Sequence, residues 1–140
     1  MKRYAIVVAL WLGWLTTAFA TGWQPGCITP ISLGQAVNGT LTTSDCSWYY
    51  AQSPQQHYYT DVYSFSGTAG QQVSFLMASS AVDTYLDLYA VNDFAAPPLA
   101  SDDDGGGAYN ARIPAGSGYF TLPATGTYYL WAGSALPGAT

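Results

Sequence analysis

From Thr21 to Thr140 the apolar residues of this chain recur at every second position over short runs, and no window sustains a helical period. The runs are rich in Tyr, Val, Phe, Thr and Leu. Between them stand Gly, Pro, Asn and Asp, residues that turn a chain or interrupt its pairing. The pattern predicts strands over Gly39–Thr42, Asp61–Ser66, Gln72–Met77, Thr84–Val91, Leu99–Ser101, Ala111–Pro114, Tyr119–Leu122 and Thr127–Ala132.

Alternation also assigns faces. Tyr63 and Phe65 share a side with Asp61, and Val73, Phe75 and Met77 share a side in the next run, as two strands covering one core require. Between Asp83 and Ala90, Leu86, Leu88 and Ala90 line one face while Asp83, Tyr85, Asp87 and Tyr89 line the other. Burying the leucines therefore places carboxylates and tyrosines together on an outer face. Many short strands with frequent turns predict an all-β sandwich. The polar and aromatic stretch Thr43–Thr60, with Trp48-Tyr49-Tyr50, Gln52, Gln55, Gln56, His57, Tyr58 and Tyr59, has no clear period. It reads either as a cover over an edge of the sandwich or as a binding loop.

The start of the chain follows another rule. Lys2 and Arg3 precede an apolar run, Ala5 to Leu15, and Ala18-Phe19-Ala20 has the small-x-small pattern that signal peptidase cuts. The run falls short of the roughly 20 apolar residues a bilayer span needs, so residues 1–20 are predicted to be a secretory signal peptide without stable membrane insertion. Residues 21–30 read as a linker and 31–140 as one domain. Loss of the signal leaves one cation, Arg112, against eight aspartates, which argues against nucleic acid and anionic membranes as partners. The expected location is periplasmic or extracellular. There Cys27 and Cys46 are predicted to pair, closing a loop of about 20 residues and stabilising the fold by about 3 kcal/mol. A two-cysteine metal site with His57 lacks any recognisable ligand spacing.

Candidate chemistry concentrates in Ser101-Asp102-Asp103-Asp104-Gly105-Gly106-Gly107. Adjacent carboxylates repel unless a cation or donors offset them, and glycines let a backbone wrap an ion. Ca²⁺ takes about six to eight oxygens. Asp102 and Asp104 could face one ion, with Asp83 or Asp87, Asn110 and loop carbonyls completing its shell. The alternative is a solvated acidic hairpin with Arg112 as counter-charge, its guanidinium paired to Asp103. No catalytic constellation is apparent, since His57 is the one histidine and no serine sits in a Gly-x-Ser-x-Gly elbow. Twelve Tyr and five Trp offer flat faces for sugars, Tyr85 and Tyr89 on one exposed face among them. Cross-strand packing is the other use for tyrosines at that spacing.

Several segments fall in a familiar order: Gly39-Thr40-Leu41 with Asp45, Asp61-Val62-Tyr63-Ser64-Phe65, Ala69-Gly70-Gln71-Gln72-Val73, Asp83-Thr84-Tyr85-Leu86-Asp87-Leu88, Asp102-Asp103-Asp104, Asn110-Ala111-Arg112-Ile113 and Gly126-Thr127-Tyr128-Tyr129-Leu130. From about Ile31 to Ser134 the chain resembles the bacterial pre-peptidase C-terminal domain. The resemblance implies an antiparallel β-sandwich of jelly-roll type, non-catalytic, carried beside secreted peptidases and assisting folding, secretion or substrate attachment. Its implied partners are a secreted peptidase or an extracellular polymer, protein or polysaccharide. Relatives in bacterial collagenases bind calcium and collagen, with calcium ligands partly from an acidic segment before the first strand. Thr21–Pro30 here holds no Asp or Glu. Members also finish with a further Gly-x-Tyr-x-Leu strand, where this chain has Leu136-Pro137-Gly138-Ala139-Thr140. The resemblance thus predicts a C-terminally incomplete sandwich, unpaired at or beside Thr127–Ala132 and prone to self-association there.

Overall fold

The computed structural model describes residues 25–49, 52–93 and 95–138. The expected signal peptide lies outside them. Ten strands form among the described residues: β1 (Ile28–Pro30), β2 (Cys46–Trp48), β3 (Tyr58–Gly67), β4 (Gln72–Val73), β5 (Phe75–Met77), β6 (Thr84–Tyr89), β7 (Ala100–Asp102), β8 (Ala111–Ile113), β9 (Phe120–Thr121) and β10 (Gly126–Ser134). One layer is a six-stranded sheet in the order β1, β3, β10, β6, β7, with β2 also on β3. The facing layer consists of two separate pairs, β4 with β9 and β5 with β8.

The two layers enclose the main core. Phe65, Leu86, Leu88, Tyr128, Leu130 and Ala132 enter it from the large sheet, and Val73, Ala111, Ile113 and Leu122 from the opposite side. Period-2 alternation explains this: Leu86 and Leu88 point inward together and are fully buried, each contributing roughly 1.5–3 kcal/mol. Buried polar groups in the core are satisfied. The Thr84 hydroxyl shares its one proton between the carbonyls of Met77 (3.1 Å) and Tyr109 (3.2 Å) and accepts the Ala111 N–H (2.7 Å), joining β6 to both strands of the facing pair. The Tyr128 hydroxyl donates to the Ala124 carbonyl at 2.6 Å.

Several expectations need correction. Gly39–Thr42 forms no strand, although Leu41 is buried, because the segment pairs with nothing and ends in a turn closed by the Thr42 N–H on the Asp45 carboxylate. Gln72–Met77 is not one strand but two, interrupted at Ser74, each half pairing with a different partner. Pro25–Pro30 is no linker: β1 lies parallel to β3 with Ile28 opposite Val62. β2 runs antiparallel along the same edge of β3, Cys46 opposite Thr60. The expected Cys27–Cys46 disulfide joins the two where they meet, with a Cα–Cα distance of 5.7 Å. β10 is not an edge. It is hydrogen-bonded to β3 on one side and β6 on the other, at the centre of the larger sheet.

Candidate functional site

The sequence leaves the second face of the large sheet to solvent; the structure partly covers it. Val62, Tyr89 and Trp131 form a second buried cluster, packed by the disulfide cysteines, Ile28, Trp48 and Tyr129. Tyr89 does sit on the same face as Tyr85 and Asp87, but it is 4% exposed rather than presented to solvent. Large residues on both faces of β10 had to be covered on both sides, and the N-terminal strands β1 and β2 supply the second cover.

That cover is incomplete, and the gap is a cleft of about 620 Å³. Its floor follows from register. One row across the sheet runs Ser101, Asp87, Trp131, Val62, and the next runs Tyr85, Gly133, Thr60, Cys46. Gly133 therefore brings no side chain to the row between Tyr85 and Thr60. It must be glycine, because a Cβ there would stand 2.8 Å from the Tyr59 carbonyl oxygen. Beyond Thr60 rise Trp48 and Tyr58, opposite one another across β2 and β3, their rings stacked with centroids 4.6 Å apart. Tyr49, half exposed, and Tyr59 complete the aromatic wall, and Asp103 lies at the acidic side.

Asp87 is the buried polar centre of this cleft, 6% exposed. Its Oδ2 accepts the Tyr89 hydroxyl at 3.2 Å and its Oδ1 accepts the Ser101 hydroxyl in a short hydrogen bond. Burial and then the Asp87 charge raise the pKa of both Tyr89 and Tyr85, so both phenols remain neutral donors through the physiological range. Charge-assisted hydrogen bonds of this kind are worth about 1.5–3 kcal/mol each, which is how a carboxylate survives in an aromatic setting.

Of the residues expected to share a calcium ion, Asp83 and Asp102 bear electrostatically on Asp104, while Asp87 stands on the other face of the sheet from Asp102. Asp102 pairs opposite Leu86 and faces the main core side, whereas Asp87 pairs opposite Ser101 and faces the cleft. The Asp102 Oδ2 is already engaged by the N–H groups of Gly105 and Arg112, each at 2.7 Å. The Asn110 Oδ1 accepts the Ser79 N–H, and its Nδ2 donates to the Gly107 carbonyl. Asp83 has a buried Oδ1 without a hydrogen-bond partner, near the exposed Asp104. Among the described residues no group of three or more His, Cys, Asp or Glu is placed to hold a metal ion. The Arg112 guanidinium does not clamp Asp103. It donates to the carbonyls of Pro114 (2.5 Å) and Gly118 (2.9 Å), closing its own hairpin. His57 meets the Ser47 hydroxyl at 3.1 Å and packs beside Tyr49 and Tyr59.

A second crevice, of about 640 Å³, opens on the core side between the 31–41 segment and β5. Asp61 and Tyr63 are the titratable residues among its lining, the Tyr63 hydroxyl donating to the Asp61 Oδ2 at 3.2 Å. Burial and the nearby Asp45 charge push the Asp61 carboxyl up, and burial with the Asp61 charge pushes Tyr63 up to about 12. Sequence reasoning overlooked Trp131 and Gly133 as site residues. The signal available was alternation in Thr127–Ala132, where Tyr128, Leu130 and Ala132 share one face and Tyr129 and Trp131 the other, so that both faces carry large residues.

The sequence model of the bacterial pre-peptidase C-terminal domain matches residues 59–131, which runs from β3 into β10. The chain belongs to that family. A search of the curated proteins and one of the solved structures return no match. The match accounts for the central sheet strands and the facing layer of this pre-peptidase C-terminal domain. It stops short of Trp48, Tyr49 and Tyr58 on one side of the cleft and of Gly133 at its floor.

Proposed function

We propose that this pre-peptidase C-terminal domain is a non-catalytic accessory module of the exported compartment that attaches to an extracellular polymer, or to the peptidase acting on it, through the aromatic cleft. The family is generally non-catalytic, and a bacterial family together with the Cys27–Cys46 disulfide fits a periplasmic or extracellular location. The observation that carries the attachment role is the cleft: aromatic walls, a floor that includes the side-chain-free Gly133, and one buried carboxylate with its hydroxyl partners. A few oriented polar groups in an otherwise apolar concavity are the usual build of a binding site.

Co-sedimentation of the oxidised chain with insoluble protein fibres, chitin and cellulose tests this. Tyr49→Ala and Trp48→Ala should lower retention on whichever polymer binds. Equal retention of wild type and both variants would remove the cleft from the function, and a polysaccharide retained through these residues would make the module a carbohydrate binder.

A further inference from the structure

The cleft is electrically unbalanced. From residue 4 onward the chain contains one Lys or Arg, Arg112, and its guanidinium is committed to two backbone carbonyls. Asp87 and Asp103 both line the cleft, and both bear electrostatically on Tyr85 between them. Asp87 is steadied by hydroxyl donors, which orient the carboxylate without neutralising it. A buried carboxylate with no cation of its own is costly to keep in an aromatic cleft, and an incoming cation would relieve that cost.

Reach selects the kind of cation. Asp87 is nearly enclosed, so a positive group must arrive on a narrow flexible stem. A lysine side chain has one: four methylenes that can lie on apolar surface, with a compact ammonium at the tip. The amine of an amino sugar sits directly on its ring and reaches only the exposed Asp103 at the rim. The cleft also suits the stem, because Gly133 lines it without bringing a side chain to the row between Tyr85 and Thr60, and Trp131 stands directly opposite Asp87 in register.

We infer that the cleft recognises a lysine side chain of a protein ligand, its stem over Gly133 between Tyr85 and Trp131 and its ammonium between Asp87 and Asp103. This rests on the reading of the cleft as the attachment site.

Three probes separate the outcomes: a blocked pentapeptide with a central lysine, the same peptide with norleucine, and a glucosamine tetramer. Binding is followed by the Trp131 indole resonance in the full oxidised chain. The lysine peptide should bind on the order of tenfold tighter than the norleucine peptide. Asp103→Asn and Asp87→Asn should each erase most of that difference, whereas Asp45→Asn, which removes the same charge beside Asp61, should change affinity less than about twofold. Asp103 is exposed, so its variant remains informative even where Asp87→Asn unfolds. Equal affinity for the norleucine peptide, equal loss in Asp45→Asn, or tighter binding of the glucosamine tetramer each overturns the inference. A norleucine peptide that still moves Trp131 leaves the attachment reading standing. A Trp131 signal unmoved by every probe and polymer removes both.

Discussion

Replacing Gly133 by alanine tests the architecture of the cleft floor, because the usual rule for such a change and the local geometry predict opposite signs. A glycine inside a strand costs about 0.5–1 kcal/mol relative to alanine through backbone entropy, so Gly→Ala there ordinarily stabilises. Here the added carbon would stand 2.8 Å from the Tyr59 carbonyl oxygen and 3.3 Å from Thr60. A real Cβ does not approach an oxygen that closely, so one backbone must give by a few tenths of an ångström. β3 has little freedom to do so, being paired to β10 on one side and to β1 and β2 on the other. Forcing an extra methyl into a packed site costs about 1–3 kcal/mol, so the net effect is a destabilisation of about 1–2 kcal/mol. For a domain of this size that lowers the melting temperature on the order of 5 °C. Urea unfolding followed by tryptophan emission, with the disulfide intact, measures it. Gly126→Ala is the internal control: it lies in the same strand, and a Cβ there meets nothing within 4 Å. It should be neutral or mildly stabilising. A Gly133→Ala chain as stable as wild type would falsify the close approach of β3 and β10 and the reason given for a glycine at this position.

Three further outcomes follow from the same geometry. Cys27→Ser with Cys46→Ser should cost about 3 kcal/mol in the chain-entropy account and expose Trp131, read as a red shift of its emission; a loss below about 1 kcal/mol would mean that β1 and β2 hold β3 without the link. Asp61 has a pKa raised above its ordinary 3.8, so the stability it contributes is present below that value and is lost as pH rises through the elevated one. Asp61→Asn should therefore melt higher than wild type near pH 7 and equal to it near pH 3, and a lower melting point at neutral pH would contradict this. Asp102→Ala orphans two backbone N–H groups and should cost about 1–3 kcal/mol equally in excess chelator and in millimolar Ca²⁺; a loss seen only with calcium would make Asp102 a metal ligand instead.

Strand periodicity carried the sandwich and its main core, because Leu86, Leu88, Tyr128 and Leu130 obey a strict two-residue alternation that survives any error in strand ends. The same alternation grouped Asp87, Tyr85 and Tyr89 correctly and then misjudged their surroundings. Period says which side a residue faces, but not what lies on that side. What lies there is β1 and β2, each only three residues long, one ending in Pro30 and the other inside a polar aromatic stretch, and neither long enough to show a period. Gly39–Thr42 shows the converse, a segment with a strand-like composition and a buried Leu41 that finds no partner. Pairing is a property of the whole fold. For the same reason Arg112 could be recognised as the lone cation from composition alone, while its actual partners, the carbonyls of Pro114 and Gly118, exist only once the hairpin has closed.

The boundary of the family match gives these differences a common cause. Residues 59–131 contain the elements that make a pre-peptidase C-terminal sandwich, and they place Asp87, Tyr85 and Trp131 on a face that the sandwich itself does not bury. The disulfide-linked strands ahead of that stretch pack over part of this face and bring Trp48 and Tyr49 to its border, while Gly133, just beyond the stretch, lines the cleft without a side chain. The fold therefore supplies a rigid sheet with a buried carboxylate, and the flanking segments turn that sheet into a cleft of defined width. Separate contributions of this kind predict separable failures. Loss of the disulfide should reshape the cleft wall and weaken attachment while the main core, whose buried residues all lie between β3 and β10, retains its packing.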